Sequence, residues 1–250
     1  MSGISPHDPG ANATATDLEH AMLAQANPAV AEILMRFFKT GPGQYGEGDK
    51  FLGIKNPLTR RTAKAFRDLP PGEAARAAQS EWHEIRLCAL LILLDNDQSK
   101  KTGENERAVL FGLYADLARH GFVNNWDLVD LTAPGITGAY AFEHGVGTLE
   151  RFAASGHLWE ERIAVLSMFP FIRADQPDEP FRMVDRFLAH PHDLMHKACG
   201  WMLREIGKRD RAALTVYLRK NKAVMARTTL RYAIEHYPEP ERKAFLTRDK

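Results

Sequence analysis

Apolar residues recur every three to four positions along nearly all of this sequence. Ile33, Leu34, Phe37 and Phe38 show the spacing, as do Val184, Phe187 and Leu188. That is the period of a helix with one face against a core. The alternation a half-buried strand needs is nearly absent. Pro and Gly break the pattern at Gly41-Pro42-Gly43, Pro70-Pro71-Gly72, Pro134-Gly135, Pro170, Pro191 and Pro238. The stretches between are about 10–20 residues, ordinary helix lengths. The expected fold class is therefore all-α.

Five segments share a polar or Trp-containing lead, a charged residue and an apolar run. They are WHEIRLCALLILL (82–94), NNWDLVDLTAPGI (124–136), WEERIAVLSMFPFI (159–172), DLMHKACGWMLREIG (193–207) and ARTTLRYAIEHY (226–237). Anchored on Arg86, Asp127, Arg162, Lys197 and Arg231, they lie 41, 35, 35 and 34 residues apart. Such a period, with a helix pair per unit, predicts a HEAT-like α-solenoid of stacked antiparallel helix pairs. The charged anchors are then expected along a curved, concave surface. Residues 1–17 are Gly, Ala, Ser, Pro, Thr and Asn with little apolar content, and read as a disordered tail. Residues 18–250 read as one domain. Asn12-Ala13-Thr14 matches a glycosylation sequon, but no secretory signal precedes it.

Composition excludes further classes. At 44% hydrophobic and 26% charged, the chain is neither collagen, a disordered tail protein nor a disulfide scaffold. No apolar run nears the roughly 20 residues that span a bilayer. The longest, Leu87–Leu94, reads as a buried helix. Cys88 and Cys199 sit in apolar helical contexts and do not read as a bridge, so a reducing cytoplasm is expected. A net charge of +1 first argues against a nucleic-acid partner. Its distribution reverses that: Met195–Lys250 holds 14 Lys/Arg against 6 Asp/Glu, net +8, and the remainder is −7. Such a chain can present one strongly positive surface.

Four motifs could carry chemistry. In NNWDLVD, Trp126 and Asp130 are i,i+4 on one helix face, an aromatic plate beside a carboxylate and suited to a cationic ligand. Taken alone, the motif favours a core Trp with a capped or ion-paired Asp130. In DLMHKACGWMLREIGKR, Lys197, Trp201, Arg204 and Lys208 fall at i, i+4, i+7 and i+11. That face fits a polyanion with exposed sugars or bases, or a solvated helix with one Trp under Lys stems. Arg162 lies in a first helical turn, where the helix dipole disfavours a cation. A phosphate clamp or a salt bridge to Glu160 or Glu161 would explain it. Arg227 and Arg231, again i,i+4, could reach neighbouring phosphates or form a plain basic surface.

Two other stretches look chemical and read otherwise. His190, His192, Asp193 and His196 lack a closed four-ligand spacing, and Asp193 is well placed as a helix N-cap. GPGQYGEGDKFLG has no GK[ST] ending and no preceding strand, so it is not a nucleotide loop.

Taken in order, KTGPGQYGEGDKFLGIKNP, NNWDLVD, LWEERIAVL, HDLMHKACGWMLREIGKRD and ARTTLRYAIE resemble the AlkD-like DNA alkylation repair glycosylases, from about residue 30 to 246. The resemblance implies a monomeric enzyme on double-stranded DNA containing alkylated purines, with no cofactor, no metal and no membrane partner. It implies release of N3-methyladenine and N7-methylguanine by N-glycosidic hydrolysis, without a base-flipping pocket. Carried over, Trp126 and Asp130 line the lesion, Trp201 is the second aromatic wall, and Arg162 contacts the backbone. With Lys197, Arg204, Lys208, Arg227 and Arg231 on DNA, Trp126, Asp130 and Trp201 form the expected catalytic group. Rival readings are a catalytically silent binder of branched or distorted DNA and a HEAT-type protein scaffold. The +8 segment disfavours the scaffold.

Overall fold

A computed structural model describes residues 13–247, which are helices joined by turns, with no strand among the described residues. They group into two compact units, one ending at Ile136 and one beginning at Thr137, inside the stretch read above as one domain.

The first unit holds α1 (Ala15–Leu23), α2 (Pro28–Phe37), α3 (Asn56–Ala65), α4 (Pro71–Ala77), α5 (His83–Asp97), α6 (Glu104–Arg119) and α7 (Trp126–Thr132). Helix α1 starts inside the expected tail because Thr14 and Asp17 form a capping box. The Asp17 amide donates to Thr14 Oγ1 at 3.3 Å, and the Thr14 amide donates to Asp17 Oδ2 at 2.9 Å. The Thr14 hydroxyl, donating to Asp17 Oδ2 at 2.7 Å, and the Thr14 amide hold the Asp17 carboxyl below the usual carboxylate range. The rest of that expected tail, and Asn12 of the sequon, lie outside the described residues.

Helix α5 is the centre of this unit. Every residue from His83 to Leu93 is buried, as the apolar run predicts. It packs against α3, α4, α6 and α7. Each Leu or Ile so buried stabilises the fold by about 1.5–3 kcal/mol.

Helix α2 departs from the sequence pattern. Ile33 and Phe37, read there as core, are each 59% exposed. The buried side of α2 faces the segment around Gly53 instead. Gly53 has φ of +82°, and a Cβ on it would lie 2.1 Å from the Asn27 carbonyl oxygen. Only glycine allows that approach. Past the helix end, Phe38 turns inward and stacks on Phe51, with ring centroids 5.0 Å apart.

The second unit holds α8 (Thr137–His144), a 3₁₀ turn (Val146–Leu149), α9 (Glu150–Ala153), α10 (Leu158–Leu166), α11 (Phe169–Arg173), α12 (Asp178–Asp185), α13 (Asp193–Arg209), α14 (Arg211–Asn221), α15 (Arg227–Ala233) and α16 (Glu239–Leu246). Helix α13 packs on α10, α12, α14 and α15. Two glycines set its closest approaches. A Cβ at Gly200 would lie 2.7 Å from the Thr229 carbonyl oxygen of α15. One at Gly207 would lie 2.3 Å from the Leu214 side chain of α14. The N-cap of α13 is His192, whose Nδ1 accepts from the Leu194 amide at 3.1 Å. Asp193, expected as the cap, is the first helical residue. Its carboxylate instead takes Lys197 at 2.8 Å and the Thr228 hydroxyl at 3.0 Å. No helix among the described residues is long and apolar enough to cross a membrane.

Candidate functional site

Asn125 opens α7. Its side-chain oxygen accepts from the Trp126 amide at 2.9 Å. The Trp126 ring stacks on Phe38, centroids 5.3 Å apart and planes 20° apart, and meets Phe37 edge-on at 6.0 Å. Phe38 in turn lies on Phe51 and His83. Trp126 is thus half-buried, backed by an aromatic stack. Asp130, one turn later, is half-buried too. Its charge reaches the buried Tyr114 hydroxyl, which is bonded to Thr132 Oγ1 at 2.9 Å. Burial first, and then Asp130, pushes the Tyr114 pKa up.

Beneath this stack lies a polar cluster that sequence reasoning missed. His83 Nδ1 is 2.9 Å from Asp49 Oδ2, and His83 Nε2 is 2.9 Å from Asp127 Oδ2. Arg86 donates to Asp49 Oδ1, and to Asn124 Oδ1 at 3.1 Å. All four charged side chains are buried. Desolvation acts to raise the Asp49 pKa, but His83 and Arg86 together hold it below the usual range. Next to them, the buried Glu84 carboxylate accepts three amides: Leu52 at 2.8 Å, Gly53 at 2.8 Å and Ile54 at 3.0 Å. The first turn of α5 therefore clamps residues 49–54, and α7 is tied to the same turn through Asp127. The weak local signal was WHEIR, three ionisable residues opening an apolar helix.

The remaining candidates lie in the second unit. Arg162 is 4% exposed and its guanidinium donates to the Leu194 carbonyl at 2.5 Å. Trp201 is half-buried, edge-on to Phe169 at 5.0 Å, with its indole N–H on Glu205 at 3.1 Å. The cations on its helix face each meet a carboxylate. Lys197 pairs with Asp193, Lys208 with Glu205 at 2.7 Å, and Arg204 with Glu235. That last contact pulls the Glu235 pKa down. Arg227 and Arg231 are exposed on α15, and Arg227 donates to the Leu246 carbonyl at 3.0 Å.

Helix positions also correct the repeat register. Arg162, Lys197 and Arg231 are each the fifth residue of their helices, α10, α13 and α15, so Arg162 lies past the expected first turn. The fifth residue of α7 is Asp130, not Asp127. Asp127 points into the buried cluster, and Asp130 holds the equivalent place.

The histidines of the HPHDLMH stretch serve the fold. His190 Nε2 lies 3.0 Å from Glu161, and His190 Nδ1 accepts from the His192 amide at 3.1 Å. His196 bonds the His190 carbonyl. Cys88 and Cys199 are free and buried.

Comparison with curated proteins gives no match. Among solved structures, the fold is similar to that of a predicted DNA alkylation repair enzyme from Enterococcus faecalis. The TM-score is 0.66 at 18% identity, over 86% of this chain and 97% of that one. At that identity the likeness is one of fold, and it supports the all-helical repeat architecture. The family model described as DNA alkylation repair enzyme matches residues 18–237, a span that includes every candidate residue above. The chain therefore belongs to the DNA alkylation repair enzyme family.

Proposed function

We propose that the protein is a monofunctional DNA glycosylase that hydrolyses the N-glycosidic bond of cationic alkylated purines, N3-methyladenine and N7-methylguanine, in duplex DNA. The observation that carries this reading is the pair on α7: an aromatic-backed Trp126 one turn from the carboxylate of Asp130. An electron-rich ring beside a negative charge attracts a site where positive charge develops.

Alkylation at N3 or N7 already makes the purine a good leaving group. As the C1′–N bond breaks, its electron pair goes to the purine and neutralises it. Positive charge moves to the deoxyribose, as in other glycoside hydrolyses. Asp130 stabilises that charge and orients the water whose oxygen bonds C1′, and it accepts the water's proton. Trp126 adds cation–π attraction. On the second unit, Trp201 offers DNA an aromatic surface. Arg162, Lys197, Arg204, Lys208, Arg227 and Arg231 take backbone phosphates and fix register. Every step uses side chains of this chain, with the lesion's own charge as the driving feature.

Incubating the protein with N-methylated duplex DNA and analysing the supernatant for free methylpurine tests the reading. Release of 7-methylguanine and 3-methyladenine is expected. Binding to the duplex with no release would instead establish a catalytically silent DNA binder.

The basic helix makes a separate prediction. Replacing Arg227 and Arg231 by Ala should weaken duplex binding and flatten the plot of log K against log salt by roughly one unit per lost phosphate contact. A titration between low and moderate salt measures this. An unchanged slope would move the DNA contact away from α15.

A further inference from the structure

The buried cluster under Trp126 has a definite protonation demand. Both ring nitrogens of His83 lie 2.9 Å from carboxylate oxygens. An ionised carboxylate only accepts, so both nitrogens must donate, and the ring must be the imidazolium. With Arg86 on Asp49, two cations then balance two anions in a buried space. The neutral ring can donate to only one of the two aspartates. It would leave the other an unbonded buried oxygen and the cluster a net negative charge.

What the imidazolium joins also matters. Asp49 lies in the 49–54 segment that carries Phe51. Asp127 is the second residue of α7, between Trp126 and Asp130, and its Oδ1 accepts from the Leu128 amide at 2.9 Å. His83 therefore couples the segment that backs the aromatic stack to the helix that presents Trp126 and Asp130. We infer that His83 is a positioning residue for base release: as an imidazolium bonded to Asp49 and Asp127, it holds α7 so that Trp126 and Asp130 sit in their working orientation. This rests on the glycosylase reading above.

The charged and titratable groups facing the ring are Asp49 from the loop, Asp127 from α7, and Arg86 and Glu84 from its own helix. Glu84 is committed to three amides. Phe51 stacks on the ring with centroids 4.4 Å apart, and Phe38 lies against both. Burial pulls the His83 pKa down, but the two carboxylates more than offset it and hold it at about 9. The positioning form therefore persists through neutral pH and is lost as pH rises past about 9.

His83→Gln and Asp49→Asn in the full chain test this, each read by two independent measurements. The first is peptide-resolved amide hydrogen exchange across α7 without DNA. In His83→Gln, exchange there should speed by about tenfold or more. The second is single-turnover release of 7-methylguanine from a methylated duplex, with duplex Kd measured alongside. In His83→Gln the rate should fall about 10- to 100-fold, with Kd within about twofold of wild type. The wild-type rate should decline as pH passes about 9. Asp49→Asn removes one supporting carboxylate and should shift that decline toward neutral pH. His83→Gln should lack it. Unchanged exchange in α7, a wild-type release rate in His83→Gln, or identical alkaline limbs in wild type and Asp49→Asn would each overturn the inference. If Gln at 83 unfolds the chain, the Asp49→Asn limb decides. If the wild-type protein releases no base at all, the glycosylase reading fails, and the exchange measurement still decides whether His83 holds α7.

Discussion

Asp130→Asn is expected to release 7-methylguanine about 100- to 1000-fold more slowly than the wild type, a loss of roughly 2.7–4 kcal/mol of transition-state stabilisation. Duplex affinity should change little. The substitution keeps size and one acceptor oxygen, and removes the charge and the capacity to take the water's proton. Charge is what an oxocarbenium-like transition state draws on, and the ground-state duplex makes no such demand at that point. Asp130 is half-buried on a short helix that Asn125 anchors at one end and Asp127 anchors beneath. Single-turnover kinetics with saturating enzyme separate the two quantities. A near-wild-type rate constant would remove Asp130 from the mechanism.

Glu84→Ala should be the most damaging change to the fold of the first unit. Its carboxylate satisfies three consecutive buried amides, at Leu52, Gly53 and Ile54. Truncation leaves those donors without an acceptor where water has little access. Each such orphan costs about 1–3 kcal/mol, so a total of about 3–9 kcal/mol is expected. For a chain of this size that lowers Tm by roughly 10 °C or more. Glu84→Gln keeps one oxygen acceptor and should recover about half of the loss. Thermal unfolding followed by circular dichroism checks both. A drop of less than about 3 °C for Glu84→Ala would mean the 52–54 segment finds other partners. The same variant should lose base release out of proportion to its folded fraction, since Phe51 backs the ring stack beneath Trp126.

Local signals carried the helical architecture. Pro and Gly punctuation, an apolar run at Leu87–Leu94 and three- to four-residue spacing all act within one helix length, and the helices followed them. What escaped was set by distant pairs. His83 meets Asp49 and Asp127 across 34 and 44 positions, and no periodic pattern marks a residue for such a bond. The exposed Ile33 and Phe37 show the opposite failure. Spacing reveals an apolar stripe, but it does not say how much of the stripe a neighbour will cover. At His192 and Asp193 the competition was chemical. Both can cap a helix, and Asp193 was claimed by Lys197 and Thr228 instead. The register of the second repeat slipped by three residues for a related reason. NNWDLVD holds two aspartates, one turned into the buried cluster and one in the anchor position.

Helix α13 brings its own counterions. Lys197, Arg204 and Lys208 each hold a carboxylate of the same unit. A phosphate arriving at any of them trades one ion pair for another and leaves an acid facing the backbone. The gain per contact is then a small difference, not the full value of a new pair. On the reading proposed above, few counterions would then be released from the DNA, and the grip on undamaged duplex would be light. A light grip would mean short dwell times and many base pairs sampled per encounter. The paired cations of α13 would in this sense set search speed.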